Sequence, residues 1–176
     1  MSVRTDLRAA VVARVPTDDR ERASLAMFVE HFDRLGMPFD EHADPVHVTG
    51  SAIVVGPRGV LLHLHKRLGL WLQPGGHIDE GELPWEGARR EAVEETGLDV
   101  RHPDGGPELV HVDVHPGPKG HTHLDLRYLL IGPDADPAPP PGESQDVRWF
   151  GWDDAIAISD AGLAGALSGL RARFVP

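Results

Sequence analysis

Three glutamates, Glu91, Glu94 and Glu95, crowd one short stretch of this 176-residue chain. In a helix, at about 100° per residue, they share an arc of roughly 100° on a single face. Trp85, Ala88 and Ala92 form an apolar stripe beside that arc, so the carboxylates stand at the margin of a buried face. Like charges at i,i+3 and i,i+4 repel by about 0.2–0.5 kcal/mol per pair on an open helix. Near a core the penalty grows, because less water screens them. A hard divalent cation relieves it: Mg²⁺ or Mn²⁺ shares its shell among carboxylates, waters and substrate phosphates. The alternative is a solvated acidic face with Arg89 and Arg90 as local partners. The upstream Pro74-Gly75-Gly76 weighs against that, since two glycines let a backbone approach a ligand closely.

From Gly76 the residues run Gly-His-Ile-Asp-Glu-Gly-Glu82-Leu-Pro-Trp-Glu-Gly-Ala-Arg-Arg90-Glu91-Ala-Val-Glu94-Glu95-Thr-Gly97-Leu98. The segment resembles the signature of the Nudix hydrolases, G-x5-E-x7-R-E-U-x-E-E-x-G-U with U apolar. Gly76, Glu82, Arg90, Glu91, Glu94, Glu95 and Gly97 fill every fixed position, and Ala92 and Leu98 fill the U positions. A chance match at seven fixed positions is on the order of one in a million. The lead-in Trp71-Leu72-Gln73-Pro74-Gly75-Gly76 and the segment Asp146–Phe150 also resemble the family, so the likeness covers about Val46 to Leu170.

The resemblance implies an α/β (α+β) fold: an α/β/α sandwich around a mixed sheet, with the motif as a loop-helix-loop. It implies a Nudix-type pyrophosphohydrolase that uses Mg²⁺ (or Mn²⁺) to cleave a diphosphate linkage, usually in a nucleoside diphosphate derivative. By correspondence Glu91 and Glu95 are the principal metal ligands, Glu94 ligates directly or through water, and the Gly76 carbonyl can add another. Arg90 and Glu82 correspond to a pair that braces the loop against the helix. The proton of the attacking water needs a carboxylate, and both Glu91 and a glutamate from a distant loop are candidates. Glu143, in Gly142-Glu143-Ser144-Gln145-Asp146, sits where some members carry such a glutamate. The competing reading is a solvated residue at a loop end, and Asp146 is a weaker candidate. The catalytic set is thus Glu91, Glu94, Arg90 and Glu143.

Eleven histidines are many for this length. His111-Val-Asp113-Val-His115 and His121-Thr-His123-Leu-Asp125-Leu-Arg127 alternate polar and apolar residues, as half-buried strands do. About five residues separate them, so they can pair as a hairpin that gathers the polar residues on one surface. A solvated polar face is the plainest reading. His121, His123 and Arg127 contacting substrate is the second, and a separate histidine metal site the third.

Other elements must hold these groups. Thr17 to Gly36 reads as a helix with Asp18, Asp19 and Glu21 in its first turn and Leu25, Phe28, Val29, Phe32 and Leu35 at helical spacing. A shorter helix is expected near Thr5–Ala13. From Val46 the period changes: strands at Val46–Val55 and Val60–His65 flank a Gly-Pro-Arg-Gly turn. A helix from Pro84 to Thr96 begins on proline and stops before Gly97. Leu109–His115, His121–Ile131 and Val147–Phe150 read as strands, Gly132–Gly142 as a proline-rich irregular loop, and the end as a helix bearing Leu163, Ala166, Leu167 and Leu170. The expected division is an N-terminal helical extension, 1–44, and a catalytic domain, 45–176. The extension's apolar stripe must be buried, on the core or in a homodimer interface.

Composition excludes several classes. Apolar residues make up 40% and charged residues 26%, ordinary globular usage. No apolar run approaches the roughly 20 residues of a membrane span. Arg4, Asp6 and Arg8 occupy the place of a signal peptide's apolar stretch, so a cytoplasmic location is expected. The absence of cysteine removes disulfides, thiolate metal sites and cysteine nucleophiles. It also counts against the isoprenoid diphosphate isomerases that share the fold. A net charge of −11 opposes binding of long nucleic acid but not of a small nucleotide or phosphorylated metabolite. An alternative function is a catalytically silent nucleotide-binding sensor, which a degraded motif would favour; this one is intact.

Overall fold

The computed structural model describes residues 3–175. Met1 and Ser2 of the expected extension, and Pro176, lie outside the described residues. The elements in order are α1 (Val3–Ala13), α2 (Asp19–Phe32), β1 (Val46–Gly56), β2 (Gly59–Leu64), β3 (Trp71–Leu72), β4 (Gly75–His77), α3 (Pro84–Thr96), β5 (Glu108–Pro116), β6 (Thr122–Ile131), β7 (Val147–Phe150), α4 (Trp152–Ile158) and α5 (Ala161–Phe174). The fold is the expected mixed α/β arrangement.

The sheet runs β3-β2-β1-β6-β5, with β4 beside β1 and β7 beside β2. The β1–β6 pair is parallel and the others are antiparallel, so the sheet is mixed. Strand alternation sorts β1 between two cores. Val48, Ala52 and Val54 join Ala88 and Ala92 of α3, whereas Ile53 and Val55 join Leu163 and Leu167 of α5. Both faces of β1 are therefore covered, and it reads as a nearly continuous buried run.

The expected C-terminal helix bearing Leu163, Ala166, Leu167 and Leu170 is α5, and a separate short helix, α4, precedes it. The chain breaks after Ile158, and the Asp160 side chain accepts from the Leu163 backbone N–H at 2.8 Å to start α5. The short strands β3 and β4 have too few residues to show a period, and sequence reasoning did not place them.

The N-terminal helices pack on the sheet. Phe28 and Phe32 are fully buried in the same core as Val112, Leu124 and Leu126. Asp18 caps α2 through the Glu21 N–H at 2.8 Å. Along α2, Glu21 accepts from Val112 N at 3.1 Å and Ser24 Oγ from Val114 N at 3.1 Å. These side chains satisfy the outer N–H groups of the edge strand β5, which would otherwise offer a template for another strand. Among the described residues, no helix is long and apolar enough to cross a membrane.

Candidate metal and catalytic site

Helix α3 is set against β1 by an absence of side chain. A Cβ on Gly50 would collide with the Pro84 carbonyl, so only glycine lets the helix start lie this close to the strand. Pro84 occupies the first turn, and Glu86 accepts from Leu83 N at 2.9 Å. Gly97, at φ 69°, ends the helix, and its N–H donates to Val93 at 2.8 Å.

Glu91 and Glu95 point from this helix into the glycine turn. A Cβ on Gly76 would overlap the Glu91 carboxylate, and Gly75 N donates to Glu95 Oε2 at 3.0 Å. Burial raises the Glu91 pKa despite the Arg90 hydrogen bond. Burial and the neighbouring carboxylates, Glu91, Glu143 and Glu94 among them, push Glu95 up to about 8 against the opposing pull of the Gly75 N–H. His63 Nδ1 lies 3.7 Å from Glu95 Oε1, but burial lowers that histidine to about 4, so it brings no positive charge at neutral pH. Glu94 stands at the rim with its side chain 55% exposed.

Arg90 ties loop to helix. Its guanidinium takes Glu82 through two bonds of 3.0 Å, the His77 carbonyl at 2.9 Å, Glu91 at 2.8 Å and Glu94 at 3.2 Å. The Glu82 bond above all raises the Arg90 pKa, so the charge is permanent. Glu82 also accepts from Asp79 N at 3.0 Å, which closes the loop on itself. Glu143 stands near enough for its charge to raise Glu95. Its neighbours are tethered: Lys66 Nζ donates to the Gly142 carbonyl, and Ser144 Oγ to the Leu64 carbonyl at 2.7 Å.

These donors suit a hard divalent ion. Two half-buried carboxylates repel each other beside an exposed third, and the Gly76 backbone lies against one of them. Arg90 reaches Glu91 and Glu94, while no Lys or Arg ion pair to Glu95 occurs among the described residues. Oxygen donors of this kind fit Mg²⁺ or Mn²⁺ better than a softer metal.

The histidine-bearing strands pair as expected, β5 with β6, Asp113 opposite Asp125 and His115 opposite His123. Their polar face is not solvated. Arg127 is 2% exposed, bonded to Asp125 at 3.0 Å and Asp113 at 3.3 Å. Arg20 of α2 reaches Asp113 from the other side at 3.0 Å. Burial opposes ionisation of Asp113, but bonds from His115 and Arg20 and the charge of Arg127 hold it far below the usual carboxylate range. Ser51 and Thr49 donate to Asp125 at 2.7 and 3.1 Å. Arg127 is therefore a buried cross-strand pin between Asp125 and Asp113, and α2 and α5 close over Asp113 through Arg20 and Gly162. His121 and His123 stand at the far end of that face, beside His47. Three groups escaped sequence reasoning: Gly75 N and His63 beside Glu95, and the Ser51–Asp125 link. Each joins elements distant in the chain, strand to helix or strand to strand, which a linear pattern does not display.

A NUDIX domain model matches residues 45–168. The chain is 34% identical over 116 residues to the mouse oxidized purine nucleoside triphosphate hydrolase, across 57% of this chain and 64% of that protein. It is 32% identical to an RNA pyrophosphohydrolase of Agrobacterium fabrum, across 47% of this chain and 56% of that one. The chain thus spans less than two thirds of the length of these relatives. A NUDIX-family hydrolase from Clostridium perfringens superimposes with TM-score 0.61 at 32% identity, covering 72% of this chain and 97% of its own. With the family model covering the whole of the glutamate helix, its loop and the sheet that carries them, the chain belongs to the Nudix hydrolase family.

Proposed function

We propose that this protein is a divalent-cation-dependent pyrophosphohydrolase of the cytoplasm, acting on a small nucleotide or related metabolite that contains a diphosphate linkage. The observation that carries the reading is the Glu91–Glu95 pair, half-buried, mutually repelling and held against Gly75 and Gly76. Glu91, Glu95, Glu94 at the rim and the Gly76 carbonyl would hold Mg²⁺ or Mn²⁺. When bound, the cation supplies charge neutralisation for the diphosphate and eases ionisation of an attacking water. The chain's own groups do the rest. Arg90 fixes the Glu91 carboxylate relative to the loop and, through the His77 carbonyl, the strand that carries Gly76. Gly75 N–H stabilises the ionised form of Glu95. Glu143 accepts the proton of the attacking water on a carboxylate oxygen, with Glu91 as the other acceptor within the site. The relatives named as a nucleoside triphosphate hydrolase and an RNA pyrophosphohydrolase support cleavage between phosphates.

The test is a phosphate-release screen over nucleoside triphosphates, nucleotide sugars, dinucleoside polyphosphates, ADP-ribose, CDP-alcohols and NADH. At least one should be turned over with Mg²⁺ or Mn²⁺ and not in excess chelator. Glu95→Gln should cut that rate by orders of magnitude while the fold survives. Full turnover in chelator, or by Glu95→Gln, would overturn the assignment.

A further inference from the structure

On the sheet face opposite α3, three imidazoles meet where β1, β4 and β6 run side by side. Pairing puts His47 opposite His123 and Thr49 opposite His77, so these rings project from one face. Ring centroids are 5.1 Å apart for His47–His77, 5.2 Å for His47–His123 and 5.4 Å for His77–His123, a nearly equilateral triangle. One ring nitrogen of each lies within 4.8 Å of the other two. Three imidazoles on one tetrahedral ion, with metal–nitrogen bonds of about 2.1 Å, have centroids about 5.2 Å apart.

The nitrogens are also left free for this purpose. Nε2 of His47, His77 and His123 is buried without a hydrogen-bond partner among the described residues. Such orphaned polar atoms are costly, and three on rings this close together call for a common partner. Two of the rings are held from behind. His47 Nδ1 lies 3.1 Å from the Asp44 carbonyl, and His77 Nδ1 lies 3.2 Å from Glu41 Oε2. A donor bond from Nδ1 fixes the tautomer that leaves Nε2 its lone pair, the usual outer support of a histidine ligand. Burial and the neighbouring imidazoles push His123 down to about 4, so it is neutral near pH 7. A Cβ on Gly117 would collide with the His123 ring, so glycine there is needed for the ring to lie where it does. His115 is a different case: its bond to Asp113 raises its pKa and occupies Nδ1.

We propose that His47, His77 and His123 form a second metal site, separate from the glutamates, that takes an imidazole-preferring dication of the Zn²⁺ class. The fourth position falls to water or to His121, whose ring is 5.1 Å from His47. Neutral nitrogen donors select Zn²⁺ over Mg²⁺, while the glutamates on the other face keep the harder ion. The ion would join β1, β4 and β6, and through Glu41 and Asp44 the end of the N-terminal extension.

The experiment uses the tag-free full chain, stripped with chelator and then given Zn²⁺ in the presence of excess Mg²⁺ to occupy the glutamates. One Zn²⁺ per chain should be retained after gel filtration, and Tm should rise by about 5 °C. Co²⁺ in its place should give the strong visible absorption of a low-coordinate nitrogen site. His47→Gln and His123→Gln should each abolish retention, and Glu41→Gln, on a half-exposed outer support, should weaken it by about 10-fold or more. A Glu91→Gln/Glu95→Gln double variant should keep the ion. The proposal is overturned if the wild type retains no Zn²⁺ under excess Mg²⁺. It is equally overturned if the double variant loses the ion, or if Glu41→Gln and the histidine variants bind as the wild type does.

Discussion

Glu95 carries the sharpest conflict between stability and chemistry. Without a cation its carboxyl holds a proton up to about 8, whereas the unfolded chain releases that proton near the ordinary value of about 4.3. Between those limits the native state binds more protons, so the stability linked to this group is present in acid and is lost as pH rises to 8. Glu95→Gln removes the penalty. In chelator at pH 8 it should be more stable than wild type by about 1–3 kcal/mol in denaturant unfolding, a difference that shrinks toward pH 5. Added Mg²⁺ should stabilise the wild type and leave the variant unmoved; equal stabilisation of both would place the ion elsewhere. Glu143 differs in kind, because half-exposed at the end of a loop it carries no core. Glu143→Gln should lower kcat on an identified substrate with Tm unchanged. Asp146→Asn should do less, since Asp146 is engaged with Arg148 at 2.8 Å. Wild-type kcat in Glu143→Gln would leave Glu91 as the proton acceptor.

At the scale of elements, α3 was legible to the residue because three independent signals coincide: Pro84, the apolar stripe and Gly97. The glutamate cluster was equally legible, since its meaning depends on spacing within one helix. The destination of the polar strand residues was not. Alternation shows that His111, Asp113, Asp125 and Arg127 share a face, but not whether water or another helix covers it. Here α2 and α5 do, and ion pairs from Arg20 and Arg127 make the burial tolerable. Nor does the period of α2 reveal that Glu21, a residue expected to favour the dipole, is fully buried. It is bonded to Arg14, Thr17 and Val112. Glu21→Ala should therefore cost about 3–5 kcal/mol, as breaking a buried ion pair does. Ser24→Ala, which leaves Val114 N unpaired, should cost about 1–3 kcal/mol. Both are read from denaturant midpoints, and a Glu21→Ala variant within 1 kcal/mol of wild type, on the order of an exposed pair, would refute this account of the edge.

For the molecule as a whole, the N-terminal helices complete the core of the sheet. Deleting residues 1–44 removes Leu7, Val11, Phe28, Phe32 and Leu35, all buried, and uncovers the outer edge of β5. The truncated chain should lose solubility and unfold at a lower temperature, and a fragment as soluble and stable as the full chain would sink that expectation. The proline-rich span 132–142 has a mechanical consequence of its own. Trp149 Nε1 donates to its Ala135 carbonyl at 2.9 Å, Ala138 N donates to the Thr96 carbonyl at the end of α3 at 2.9 Å, and Arg58 pairs with Asp136 at 2.7 Å. Prolines already restrict this segment in the unfolded chain, so little freedom remains for it to lose. It behaves as a strut, with Thr96 as one anchor and Leu64 and Lys66 as the other. Because Gly142 and Ser144 on either side of it are tied to Lys66 and Leu64, Glu143 is held independently of the span before it. A lineage could lengthen or shorten the proline-rich stretch, and so reshape the rim beside the glutamate helix, while that carboxylate keeps its place.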